Sequence, residues 1–172
     1  MKKQLLLGAG YPPYKKHMGL EGDAEWADLT TLDMNRRTEP NEVWDLNDTA
    51  LPFRDEQFDE IYAFQVLEHT GRQGDIAFFF AQWNDFWRVL KPGGLFFGIV
   101  PAHTSVWAWG DPGHTRVFTE GTLIFLDKMQ YQLQKGVTAM SDYEALLGGR
   151  YWKPLSMQTG TDEFRFILKK DA

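Results

Sequence analysis

The stretch from Leu51 to Pro101, LPFRDEQFDEIYAFQVLEHTGRQGDIAFFFAQWNDFWRVLKPGGLFFGIVP, constrains the fold more than any other part of the chain. Ile61, Tyr62, Ala63 and Phe64 form a short apolar run after Asp59 and Glu60, the pattern of a buried strand. From Asp75 to Leu90 the period changes. Ile76, Phe79, Phe80, Trp83, Phe86, Trp87 and Leu90 recur at spacings of three and four, which marks one apolar face of a helix. Lys91-Pro92-Gly93-Gly94 stops that helix, because proline cannot continue it and glycine accepts left-handed dihedrals. Leu95 to Val100 then reads as a second buried strand. Strand, helix, strand over this length implies a right-handed parallel crossover in an α/β fold.

The flanks extend the same architecture. Gln4 to Leu7 reads as a buried strand ended by Gly8-Ala9-Gly10, where missing side chains let backbone approach a ligand or simply make a tight turn. Asp28 to Leu32 is a second strand with Asp33 at its end. A carboxylate about 20 residues past such glycines can accept from both ribose hydroxyls of a nucleotide, with a solvated turn aspartate as the alternative. Glu42 to Trp44 leads into Asp45-Leu46-Asn47-Asp48, which also suits an Asx turn. Beyond Pro101, Thr119 is expected to cap a helix through Leu123, Leu126 and Met129. Ser141-Asp142-Tyr143-Glu144 reads as a capping box for a second helix, ended by Gly148-Gly149. Tyr151 to Gln158 and Glu163 to Lys169 form a closing hairpin.

LPFRDEQFDEIYAFQVLEH followed by LKPGGLFFGIVP resembles the middle of the small class I S-adenosylmethionine-dependent methyltransferases. Asp111-Pro112-Gly113-His114-Thr115-Arg116-Val117-Phe118-Thr119 resembles a loop that many of them place after the fifth strand. The resemblance implies a Rossmann-like sheet of order 3-2-1-4-5-7-6 with strand 7 antiparallel, and S-adenosylmethionine as cofactor. It implies that Gly8 and Gly10 pass the amino-acid end of the cofactor, Asp33 binds ribose and Met34 packs on adenine. Asp45, with Leu46, would meet the adenine edge, Asn47 being the alternative to Asp45. Gln65 would lie beside the methionine part, with Glu68 and His69 near the acceptor. Trp107 and Trp109 in the loop from Ala102 to Arg116 suit an acceptor lid, and His103 or His114 would serve as a base for an un-ionised acceptor. The chain departs from the family at Leu6, where an acidic residue is usual, and at Pro12, where a third glycine is usual. A non-catalytic binding protein on the same fold is therefore the rival reading. A nicotinamide oxidoreductase ranks below both, because its third glycine would fall at Pro13. Tyr11-Pro12-Pro13-Tyr14 lacks the polar residue of an amino-group methylation motif and reads as a turn.

Composition sets the remaining bounds. A chain of 172 residues, 43% apolar and 15% aromatic, suits one domain over 1–172 with a real core. A net charge of −6 without a Lys/Arg run makes nucleic acid an unexpected partner. No apolar run approaches the roughly 20 residues of a membrane helix, and Met1-Lys2-Lys3 leads directly into a strand, so a cytoplasmic protein is expected. With no cysteine, and four histidines none of which stands at ligand spacing from another, no metal site is expected. Tyr11 to Trp26 shows no helical period, and Met34 to Asn41, roughly eight residues, is too short for a usual helical crossover. One face of the sheet should thus be thinly covered by helices; loops between Tyr11 and Asn41 are expected to cover part of it and a second copy, as a homodimer, the rest, a monomer with polar side chains wetting that face being the alternative. The acceptor is expected to be a small molecule or an exposed group.

Overall fold

The computed structural model describes residues 1–11 and 26–171. Seven strands form one sheet: β1 (Lys3–Leu7), β2 (Asp28–Asp33), β3 (Glu42–Val43), β4 (Phe58–Phe64), β5 (Leu90–Pro101), β6 (Trp152–Thr159) and β7 (Glu163–Lys170). Their order is β3-β2-β1-β4-β5-β7-β6, as expected. The first five pair in parallel, while β7 runs antiparallel to β5 and β6. Strand order reverses between β1 and β4, the switch point outside which open α/β sheets bind ligands.

The helix of the central crossover, α1 (Ile76–Val89), begins at Asp75, whose side chain accepts from the Phe78 amide. It buries Phe80, Trp83, Phe86 and Val89 against the sheet, the stripe that its period predicts. The Lys91–Gly94 turn sits differently from expectation. Leu90 already pairs with Phe58, residues 91–94 bulge out, and Leu95 rejoins the ladder opposite Glu60. Gly94 is tight there, since a Cβ would stand 2.9 Å from the Lys91 carbonyl oxygen and 3.0 Å from that of Asp59.

Beyond β5 the chain is more broken than its apolar spacing suggests. A short helix, α2 (Val106–Gly110), is capped by Ser105. Thr119 does cap a helix, α3 (Glu120–Leu123), through a box shared with Thr122. The helix stops after one turn and continues as a 3₁₀ turn (Ile124–Leu126) and then α4 (Lys128–Gln134). Asp127 causes the break: it is extended, and its carboxylate caps α4 by accepting from the Met129 amide. The expected box at Ser141 to Glu144 does not form either. Asp142 accepts from the Glu144 amide, Glu144 binds Lys135 and Tyr151, and α5 (Glu144–Leu147) lasts one turn before left-handed Gly148.

The two faces of the sheet are unequal. One packs against α1 and the segments after β5 around Trp83, Phe96, Trp152 and Phe166. The other carries Leu6, Tyr62, Phe64, Phe97, Ile99 and Ile167. No helix among the described residues covers this second face; the β2–β3 connection holds only a 3₁₀ turn, Arg36–Thr38. Even so, those six side chains are 6% exposed or less within a single chain. Those six side chains are thus already covered within one chain. Most of the β1–β2 connection, with Pro12, Pro13 and Tyr14, lies outside the described residues.

Candidate active site

At the C-terminal edge, Gly8 and Gly10 both have φ of +60°. A Cβ on Gly8 would stand 2.5 Å from a methyl of Val66, so the turn after β1 presses against the segment leaving β4. Asp33 fastens that turn to β2. One carboxylate oxygen accepts from the Gly10 amide at 2.9 Å, the other from the Asn35 amide at 2.8 Å. A carboxylate has about four acceptor positions, so each oxygen keeps one for a ligand hydroxyl. Next to it Met34 is 69% exposed.

At the end of β3, Asp45 makes the Asx turn, accepting from both the amide and the side chain of Asn47 at 2.9 Å. Asn47 in turn accepts from the Gly71 amide, which ties this turn to the segment after β4, while Leu46 is buried. The position before the glycines, Leu6, is a core residue on the second face and offers no acceptor.

Leaving β4, Gln65 adopts φ of 53°, uncommon for a residue with a side chain and a mark of an imposed conformation. Its amide donates to the Ile99 carbonyl at 2.7 Å and its side chain donates to Glu163 at 3.2 Å. A 3₁₀ turn, Leu67–His69, follows. Its carbonyls hold the loop after α2: the Thr115 amide donates to Glu68 O at 2.8 Å, and Arg116 Nε to Leu67 O at 3.2 Å. Arg116 is buried, donates further to Thr70 and Gln82, and lies over the Phe118 ring. Burial pulls its pKa down to about 10.

This clamp closes a cleft of about 480 Å³ lined by Gln65, Glu68, His69, Trp107, His114 and Glu163, among others. Glu68 is only 3% exposed and neither carboxylate oxygen has a hydrogen-bond partner. Burial pushes its pKa up to about 7, with the negative charge of Asp111 in the same direction and its own backbone amide and Arg116 pulling against it. His69 and His114 stand edge to face with ring centroids 4.6 Å apart. The sequence separation of these histidines argued against a shared ligand set, but folding removes that separation and sets Glu68 beside them.

His103 does not line this cleft; its carbonyl accepts from Trp109 Nε1 at 2.9 Å. Trp107 and Trp109 are 64% and 73% exposed on α2. Glu163 and Asp162, at the β6–β7 turn, are members that sequence reasoning missed. A second cleft, apolar and about 290 Å³, lies between the start of α1 and residues 116–125, without contribution from the glycine turn or from Gln65 to His69.

The sequence model of the methyltransferase domain matches residues 8–98, more than half of the chain. The chain belongs to the methyltransferase domain family. Solved structures agree with the fold of this methyltransferase domain. An S-adenosylmethionine-dependent methyltransferase from Archaeoglobus fulgidus superposes with a TM-score of 0.56 at 15% identity, over 98% of this chain and 86% of that one. A 1,6-didemethyltoxoflavin-N1-methyltransferase from Burkholderia thailandensis, with bound 1,6-didemethyltoxoflavin and S-adenosylhomocysteine, gives 0.54 at 14% identity, over 99% and 72%. A third, from Aquifex aeolicus, gives 0.55 at 12%, over 98% and 82%. No curated protein sequence matches the chain. The class I S-adenosylmethionine-dependent family and S-adenosylmethionine as its cofactor agree with the resemblance read from Leu51 to Pro101. No helix among the described residues is long and apolar enough to cross a membrane.

Proposed function

We propose that this methyltransferase domain transfers a methyl group from S-adenosylmethionine to a small or exposed acceptor, as a single cytoplasmic domain over 1–172. The observation that carries the reading is the contact of Gly8 with Val66. It joins the glycine turn to the segment between Gln65 and Glu68, so a cofactor edge and an acceptor cleft meet at the end of β4. The cofactor's sulfonium supplies an activated methyl group, and no protein nucleophile is required.

The chain's own residues bind and orient. Asp33 accepts the ribose hydroxyls with the acceptor positions that Gly10 and Asn35 leave over. Met34 covers one face of the adenine, and Asp45 with Leu46 borders its edge. Gln65, held by Glu163, supports the methionine end. The acceptor lies against Glu68 and His69 beneath α2, whose exposed Trp107 and Trp109 close over it and exclude water. His114, rather than His103, stands within reach as the polar ring of that cleft.

The non-catalytic alternative has one observation in its favour, the core position of Leu6 where the family carries an acid. Calorimetry separates the readings. Tight binding of S-adenosylhomocysteine supports the transferase, and binding of NAD alone would point to an oxidoreductase. Binding of neither would leave the fold without its reaction.

A further inference from the structure

We propose that Glu68, His69 and His114 form a binding site for one divalent first-row transition ion, such as zinc or manganese. One ligand atom from each residue, a carboxylate oxygen and two ring nitrogens, lies within 4.8 Å of the others. Three donors that close can share a single cation, and two imidazoles with a carboxylate suit zinc, manganese or iron.

Two independent features single this group out from ordinary polar neighbours. The first is want of partners. Glu68 is 3% exposed, yet both its oxygens lack a hydrogen bond, and buried His114 Nδ1 lacks one too. Buried polar atoms are normally satisfied, and these belong to residues that each bring a ligand atom within 4.8 Å of the others, where a bound cation would satisfy them. The second is the orientation of the rings. His69 Nδ1 stands 3.1 Å from the Gly113 carbonyl, which can only accept, so in the neutral ring that nitrogen carries the proton and Nε2 keeps its lone pair for a metal. His114 Nε2 faces the Asp111 carboxylate at 3.7 Å, which favours the proton there and leaves Nδ1 as the donor to a metal. Histidine ligands are characteristically held in this way, by a carbonyl or carboxylate on the opposite nitrogen. Asp111 is itself fixed, accepting from the Gly113 amide at 2.7 Å.

The support is rigid before any ion arrives. Glu68 and His69 share one 3₁₀ turn, and the Thr115 amide, next to His114, donates to the Glu68 carbonyl. Three protein donors leave positions open on an ion that takes four to six ligands, so an oxygen of the acceptor completes the shell. That last step rests on the methyl-transfer reading. It makes the acceptor a metal-chelating hydroxyl compound whose oxygen ionises more readily on the ion. His114 then acts as a ligand instead of a free base.

The test is titration of chelator-stripped protein with cobalt(II), followed by its visible absorption, and with zinc by calorimetry, both without cofactor. One equivalent with a d–d band is expected. Exposed His69→Ala should abolish it with the fold intact by circular dichroism, as should Glu68→Gln, and Asp111→Asn should weaken it about 10- to 100-fold. Failure of the wild-type protein to bind cobalt or zinc at micromolar concentration overturns the site. So does binding unchanged in His69→Ala and Glu68→Gln. Metal binding without S-adenosylhomocysteine binding keeps the site and removes the methyl-transfer reading; the converse removes the site alone.

Discussion

Asp33, proposed as the ribose acceptor, already has a role in the resting molecule. Its two oxygens hold the Gly10 and Asn35 amides, so the carboxylate fixes the glycine turn before a ribose meets it. Asp33→Ala should weaken S-adenosylhomocysteine by about 1.5–3 kcal/mol, the range for a lost charged hydrogen bond, or roughly 10- to 150-fold. Calorimetry against an intact circular dichroism spectrum measures this, and unchanged affinity would leave Asp33 as a turn residue only. The place of Asp33 at the end of β2, beside the glycine turn, was legible in the sequence because it depends on local things, the end of a strand and a fixed offset from two glycines. Glu163 was not legible. It reaches Gln65 from the far hairpin, and nothing in the residues around it records that contact. His69 and His114 were equally hidden, because their pairing comes from Thr115 and Arg116 bonding to the 3₁₀ turn and not from any spacing.

Between elements, the join of β1 to β4 has a polar lock. Lys2 and Gln4 donate to Glu60, each at 2.6 Å, and Tyr62 donates at 2.8 Å. Burial works to raise the Glu60 pKa, but these donors outweigh it and hold it below the ordinary carboxylate value. A carboxyl depressed on folding adds stability above its unfolded pKa, near 4.3, and loses it as pH falls through the folded value. Urea unfolding of the wild-type protein should therefore weaken between about pH 5 and the folded pKa, and Glu60→Gln should show a shallower slope over that window. Parallel acid profiles would mean that the lock contributes nothing. Elements with strong periodicity, β4 and α1, lie where the sequence puts them, and β5 takes in Leu90 ahead of the bulge at residues 91–94 where a turn was expected. The segment from Thr119 to Gln134 does not, because Leu123, Leu126 and Met129 repeat regularly while Asp127 between them ends one turn and caps the next. Apolar period reports which face is buried; it does not report whether the backbone continues unbroken.

At the scale of the whole molecule, a parallel sheet must bury both faces, and the sequence suggested that a second copy would supply the missing layer. Leu6, Tyr62, Phe97, Ile99 and Ile167 are each 3% exposed or less in one chain, so light scattering at micromolar concentration should report a monomer. A dimer that persists on dilution would show that some other surface pairs. The β6–β7 turn carries a different consequence. Asp162 and Glu163 stand beside Gln65, and the Asp162 carbonyl accepts from the Ala102 amide, although the family-matching region ends at residue 98. One wall of the cleft thus lies within the region that matches the family, and the facing wall beyond it. Substitutions in loops 102–116 and 159–163 would reshape that facing wall and leave the matched one in place.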